Sequence, residues 1–366
     1  MTPKRVVISG GGTGGHLYPA LVLGRKLREK VPGLELTFVG GGRDAERVIL
    51  ARELFAGEGV QYVPMRIEGL IGRGRRGLRA AALLPGAFLK SLGLLVRLKP
   101  RLVVGVGGYS SGPVVLLAAW MATPTLIMEQ NVRPGFTNRM LVRWVNRAAV
   151  AFEASLPYFR GKGVHLGNPV RPEFAALRPR ESDGRLSLLV FGGSQGSRVL
   201  NRAMTAALPL LAEKRDRLTI IHQTGPADLA EVRDAYAAQG LDRAEIAAFL
   251  HDMPARFGAA DLVLCRAGAT SCAELIAARK ASILVPFAQA ADDHQTANAA
   301  ALRDAGGADL IPEGELTPGR LAAAVLEFLA RPERLALMAR SLEPLRKDAA
   351  ADDIAGLCLE LMEARG

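Results

Sequence analysis

Apolar and polar positions along this chain fall into a recurring pattern. Arg5–Ser9 is a short apolar run that ends in the glycine row Gly10-Gly11-Gly12-Thr13-Gly14-Gly15. Leu17, Leu21, Gly24 and Leu27 follow at the spacing of one helix face, closed by the basic Arg28. A brief apolar run bounded by a turn signal predicts a buried strand, and the three-to-four-residue recurrence predicts a helix. Further strand-like runs lie at Leu34–Val39, Val60–Met65, Leu102–Val106, Thr125–Glu129 and Arg147–Ala151, with helical stretches between most of them. The second half repeats the scheme. Ser187–Phe191 leads into Gly192-Gly193-Ser194-Gln195-Gly196, then into a helix carrying Leu200, Ala203, Met204, Ala207 and Leu211. Leu218–His222, Asp261–Cys265 and Ala281–Pro286 read as additional strands. Strands alternating with helices imply parallel βαβ units. The pattern therefore predicts an α/β protein of two doubly wound, Rossmann-like domains facing each other. Their junction is expected near Gly167–Pro172, where two prolines interrupt the periodicity.

Length and composition fit that picture. A chain of 366 residues suits two domains, and 49% hydrophobic against 23% charged residues supplies both with cores. Three cysteines without CxxC spacing point to a reducing compartment and away from structural zinc. The apolar run at the N-terminus is too short for a signal peptide, and the longer apolar stretches are broken by Arg79, Pro85, Lys90 and Pro124. No transmembrane helix is expected, and the protein is placed in the cytoplasm. Charge is uneven: residues 1–165 hold 24 Lys and Arg against 9 Asp and Glu, whereas the remainder holds 23 against 27. Arg66–Arg101 alone holds nine basic residues and one acid, interleaved with Leu70, Ile71, Leu83, Leu84, Phe88 and Leu92. A basic and apolar mixture suits an anionic lipid surface better than a nucleic-acid groove, with a merely solvated basic face as the bland alternative. Trp120 is a candidate addition to this surface. No nucleic-acid-binding signature is present.

Glycine lets backbone N–H groups approach an anion, and a following helix adds unpaired donors and the positive end of its dipole. Three glycine loops follow apolar strands here, the second being Gly105–Pro113. Each alone could be no more than a tight turn; three together point to bound phosphate. Gly10, Gly12 and Gly15 satisfy GxGxxG, but the second strand ends Phe38-Val39-Gly40-Gly41-Gly42 without the acid a dinucleotide's ribose requires. There is no GxxxxGK[ST] run, no HExxH and no Asp-x-Asp, so neither a P-loop ATPase nor a carboxylate-held metal is expected, and no metal or cofactor is assigned. Cys265–Glu274 runs from a strand end into a helix. Ser271 and Glu274 there form S-x-x-E, which reads either as a capping box or as a carboxylate poised for ribose hydroxyls. Asp292–Asn298 is a polar patch suited to sugar hydroxyls or to a helix start.

Taken together, GGTGGHLYPA at Gly11–Ala20, GVGGYSSGP at Gly105–Pro113, EQN at Glu129–Asn131, GNPVR at Gly167–Arg171, GGSQGS at Gly192–Ser197 and DDHQTANA at Asp292–Ala299 resemble the MurG family of peptidoglycan glycosyltransferases, glycosyltransferase family 28, over essentially the whole chain. The resemblance implies a GT-B fold, two Rossmann-like domains with a cleft between them. The N-terminal acceptor and membrane domain would span 1–166 and the donor domain 167–344, with a helix at about 345–366 packing back on the first. It also implies inverting transfer of N-acetylglucosamine from UDP-GlcNAc to lipid I, undecaprenyl-diphospho-MurNAc-pentapeptide, at the cytoplasmic face of the membrane. Other cell-wall enzymes are implied partners.

The family's donor contacts would fall on Thr13, Gly14, Gly15, Asn131, Arg171, Ser194, Leu250, Ala269, Thr270, Ser271, Cys272, Ala273, Glu274 and Gln295. The backbone of Leu250 would read the uracil. Where relatives often carry two adjacent glutamines, this chain has His294-Gln295. Inverting transfer needs a base for the acceptor hydroxyl and stabilisation of the departing diphosphate. His16, at the first helix start, is the base candidate. Gly12, Gly107, Gly108, Tyr109, Ser110, Ser111 and Gly112 would hold the acceptor diphosphate. Competing readings are a related enzyme acting on another lipid such as diacylglycerol, a non-catalytic nucleotide-sugar sensor and, more distantly, an oxidoreductase.

Overall fold

The computed structural model describes residues 4–11, 14–42, 60–65, 75–181, 183–193 and 195–364. Gly12, Thr13, Ser194 and the stretch 66–74, with Leu70, Ile71 and Arg73, lie outside the described residues. Two parallel sheets organise the chain. The first contains β1 (Arg5–Ser9), β2 (Glu35–Gly40), β3 (Val60–Pro64), β4 (Leu102–Gly105), β5 (Thr125–Glu129), β6 (Arg147–Val150) and β7 (Gly163–His165), in the spatial order β3-β2-β1-β4-β5-β6-β7. The second contains β8 (Leu186–Phe191), β9 (Leu218–Gln223), β10 (Glu245–Ala247), β11 (Leu262–Cys265), β12 (Ala281–Leu284) and β13 (Ala308–Leu310), in the order β10-β9-β8-β11-β12-β13.

Helices cover both faces of such sheets, which is why β8, Leu-Ser-Leu-Leu-Val-Phe, is buried from end to end and carries almost no polar residue. In the first sheet successive side chains divide between two cores. Val6, Ile8, Leu36, Phe38, Leu102 and Val104 pack with Leu17, Leu21 and Leu27 of the helix Gly14–Lys30. Val7, Val39, Val103 and Ile127 face the opposite way, onto Leu94 and Leu95 of the helix Arg75–Leu98 and Val114, Val115 and Ala118 of the helix Ser111–Trp120. The two-residue repeat of a strand produces this division, and truncating one such fully buried leucine typically costs about 2–5 kcal/mol.

The chain divides into two compact units, residues 1–170 with 347–366, and residues 171–346. Gly167–Val170 stay with the first unit rather than opening the second: the Gly167 N–H donates to the Val150 carbonyl at the end of β6, at 3.1 Å. The C-terminal helix Ala350–Glu363 belongs to the first unit too, placing Ile354, Ala355, Cys358 and Met362 in the core beside the helix Gly14–Lys30. Lys26 and Lys30 both pair with Asp352 across that contact. No described helix is long and apolar enough to cross a membrane.

In each sheet the order of strands reverses its direction of travel once, between β1 and β4 in the first and between β8 and β11 in the second. Doubly wound sheets place ligands outside the carboxyl ends of the strands at such a reversal. The segments leaving those four strands are the glycine loop after β1, the loop Gly105–Gly112 after β4, the loop Gly192–Ser197 after β8, and Arg266–Gly268 after β11.

Candidate active site

The first unit brings the loops after β1 and β4 into contact and sets His16 between them. Gly14, Gly15 and His16 form the opening turn of the helix Gly14–Lys30. Gly107 has φ +94°, and a Cβ built there would stand 2.9 Å from the His16 ring, so only glycine lets the backbone lie against the imidazole. Gln130 also holds the ring. Its Nε2 donates to the Val106 carbonyl at 3.2 Å, which turns Oε1 toward His16 Nδ1, also at 3.2 Å. An amide oxygen only accepts, so Nδ1 carries the proton and the lone pair of the neutral ring sits on Nε2.

Glu129, 2% exposed, fixes the segment that carries Gln130 and Asn131. Its Oε1 accepts from the backbone and side-chain nitrogens of Asn131, both at 3.0 Å, and its Oε2 accepts from Gly135 N at 3.0 Å and Asn138 Nδ2 at 2.9 Å. Of the residues expected to bind an acceptor diphosphate, Gly107, Gly108 and Tyr109 lie in the loop and Gly112 in the following helix. Ser110 and Ser111 are buried, and the Ser111 hydroxyl donates to the Gly108 carbonyl at 2.8 Å. The Ser111 side chain thus supports the loop instead of projecting from it.

The second unit assembles a separate group. Arg171 stacks over Phe174, its guanidinium carbon 4.9 Å from the ring centroid, and its NH2 lies 3.6 Å from Glu274 Oε1. Burial pushes the Glu274 carboxyl up to about 7, against the downward pull of Arg171. The S-x-x-E capping box does not form. The helix Ala269–Ala278 begins right after its N-cap Gly268, so Ser271 is already inside it and Glu274 points inward. Gly268, Ala269, Thr270 and Ser271 present the helix start half-exposed, along with Ala273. Cys272 is fully buried, and its thiol is pushed up to about 12 by burial, so its side chain packs the core. Leu250 is buried, with its N–H donated to Gln223. Gln295 accepts the Phe287 N–H at 3.0 Å, and His294 opens the helix His294–Asp304.

Four residues at these sites escaped the sequence reading. Glu129 and Gln130 stood within a quoted motif but carried no assigned task. Gln223 gave only a faint signal, a polar residue closing an apolar strand before Thr224-Gly225. Arg266 also organises the region: its NH1 donates to the Val285 and Pro286 carbonyls, its Nε to Ser197 Oγ, and it pairs with Glu313.

Both halves match known families. Residues 6–150 match the glycosyltransferase family 28 N-terminal domain and residues 187–354 the glycosyltransferase family 28 C-terminal domain. A protein of Myxococcus xanthus (strain DK1622) described as "UDP-N-acetylglucosamine--N-acetylmuramyl-(pentapeptide) pyrophosphoryl-undecaprenol N-acetylglucosamine transferase" is 45% identical over 98% of this chain and 93% of its own length. One of the same description from Anaeromyxobacter sp. (strain K) is 44% identical over 99% of this chain and 94% of its own. Among solved structures, the Acinetobacter baumannii MurG crystal structure superposes with a TM-score of 0.78 at 28% identity, covering 98% of this chain and 100% of that one.

Proposed function

The chain belongs to glycosyltransferase family 28, and on that footing we propose that it transfers N-acetylglucosamine from UDP-GlcNAc to undecaprenyl-diphospho-MurNAc-pentapeptide, forming lipid II with inversion at the anomeric carbon. The observation that carries this reading is identity of 45% along nearly the entire chain with a protein so described. The same observation favours this acceptor over diacylglycerol. Turnover of UDP-GlcNAc with a lipid I analogue, and none with diacylglycerol, is the expected result; the reverse preference overturns the assignment.

The chemistry follows from the two groups of residues. His16, protonated on Nδ1, offers Nε2 as the base that takes the proton of the attacking acceptor hydroxyl. The loops around Gly107 hold the acceptor diphosphate. Glu274 accepts hydrogen bonds from the two ribose hydroxyls, and the segment at Leu250 reads the uracil. The helix start at Ala269–Thr270 and the loop after β8 direct N–H groups toward the diphosphate, where negative charge grows as the sugar departs.

The lipid-linked acceptor calls for a membrane-facing surface. The helices Arg75–Leu98, Ser111–Trp120 and Phe136–Leu141 expose Leu89, Leu92, Val96, Trp120 and Met140, and the residues that follow the last two helices expose Met121 and Trp144. Trp120 and Trp144 meet edge to face with centroids 5.9 Å apart, and the Arg143 guanidinium lies 5.2 Å from the Trp144 ring centroid. Lys90, Arg97, Arg139 and Arg147 are exposed around them. Aromatic rings at the headgroup level and basic residues worth about 1 kcal/mol each near an anionic surface suit reversible docking. Replacing Trp120 and Trp144 by Ser, together with Arg139 and Arg143, should abolish most sedimentation with anionic vesicles. Equal sedimentation of wild type and variant would defeat this docking face.

A further inference from the structure

Gln223 closes β9 and is 3% exposed. Its carboxamide reaches two segments far away in sequence. Nε2 donates to the Gly193 carbonyl at 2.8 Å, and Oε1 accepts the Leu250 N–H at 2.8 Å. A carbonyl only accepts and a backbone N–H only donates, so the two bonds fix the orientation of the amide between them. Gly193 lies in the loop after β8, and Leu250 in the segment that leaves β10.

The surroundings leave little room for independent movement. Next to Gln223, the Thr224 and Gly225 N–H groups donate to the Ala247 and Ala248 carbonyls at 2.9 and 3.1 Å, aligning the segment that leads to Leu250. On the other side, Gly196 of the β8 loop passes so close to the Thr224 carbonyl that a Cβ would stand 2.0 Å from it. Asn201 then ties this junction to the following helices, its Nδ2 donating to the Thr224 carbonyl and to Asp228 Oδ2, both at 2.8 Å. His222 Nε2 meets Asn201 Oδ1 at 3.1 Å and its Nδ1 meets the Tyr236 hydroxyl at 3.2 Å. The side chain of Gln223 joins the two loops directly to each other through a single buried group.

We propose that Gln223 is a positioning residue that keeps the base-reading segment at Leu250 in register with the diphosphate loop after β8, so that the two ends of a uridine diphosphate are gripped as one rigid unit. The inference rests on reading those segments as the donor's base and diphosphate sites. Its consequence is a coupling: each half of the nucleotide is held by its own contacts, and Gln223 supplies the fixed spacing that lets both be made at once.

The test compares the binding of UDP, uridine and pyrophosphate to wild type and to Gln223→Met, which removes both hydrogen bonds at nearly constant volume. Losing two buried hydrogen bonds and the fixed spacing should weaken UDP by about 10- to 100-fold, while uridine and pyrophosphate each change by less than about threefold. Retained uridine binding also reports that the domain is folded. UDP affinity within about twofold of wild type overturns the proposal, given the two-bond loss expected. So does uridine weakened as much as UDP, which would confine Gln223 to the base contact. If Gln223→Met does not fold, Gln223→Glu is measured in the same way, since it keeps an oxygen toward Leu250 and loses the donor to Gly193. Wild-type protein that binds pyrophosphate as tightly as UDP would remove the nucleotide reading itself, whatever Gln223 does.

Discussion

Replacing His16 by Ala is expected to lower kcat by about 10²–10⁴-fold, the usual contribution of a general base, while leaving affinity for UDP-GlcNAc nearly unchanged. Most of the nucleotide contacts assigned above, from Arg171 to Gln295, lie in the second unit, and only Thr13, Gly14, Gly15 and Asn131 share the first with His16, so base and donor affinity are largely separable. The geometry adds a sharper expectation. Gln130 holds the Nδ1 proton, so Gln130→Leu frees the ring to adopt the other tautomer and should lower kcat without touching the donor's KM. The acidic limb of the kcat profile should vanish in His16→Ala, because that limb reports protonation of the imidazole once substrates are bound. Near-normal turnover in His16→Ala, or an unchanged acidic limb, would assign the base to a carboxylate elsewhere.

Glu274→Ala should raise the KM for UDP-GlcNAc by roughly 10- to 100-fold, since hydrogen bonds to a charged group contribute about 1.5–3 kcal/mol. Glu274→Gln still accepts a hydrogen bond and should suffer less. The direction of the pH dependence follows from the raised carboxyl. Near pH 6 the group is mostly protonated, because burial holds its pKa at about 7; above that it ionises and becomes the better acceptor for ribose hydroxyls. Donor affinity should therefore rise as pH increases through about 7, and the bound donor should draw the pKa down. The KM of the wild type falls between pH 6 and 8, and that of Glu274→Gln stays flat across the same interval. If Glu274→Ala merely melts at lower temperature and keeps its KM, the carboxylate serves structure alone.

The long central strands were legible because burial on both faces leaves an apolar run with little ambiguity, as in Thr125–Glu129 and β8. The three strands absent from the sequence reading, Gly163–His165, Glu245–Ala247 and Ala308–Leu310, lie at sheet edges and are three residues long. Partly exposed, they have neither the length to show a period nor the burial to demand a pure apolar run. The glycine loops and His16 were legible because a strand, a turn and a helix start are local features. The placement of Glu274 was half legible: S-x-x-E spacing is local and suggests a cap, whereas the inward turn toward Arg171 depends on a residue more than a hundred positions away. Gln223 was out of reach for the same reason, since its partners lie 30 residues before it and 27 after it.

The C-terminal helix carries a consequence for biogenesis. A ribosome adds roughly 5–20 residues per second, so the first unit waits on the order of ten seconds or more while the whole of residues 171–346 is made. Throughout that interval Leu17, Leu21 and their neighbours lack the cover that Ile354, Ala355, Cys358 and Met362 later provide. The nascent N-terminal half therefore emerges with an apolar seam open to chaperones or to other chains. A chain terminated before Lys347 would fold its second unit and leave the first incomplete, so loss of the final helix acts on the half of the molecule that was synthesised first.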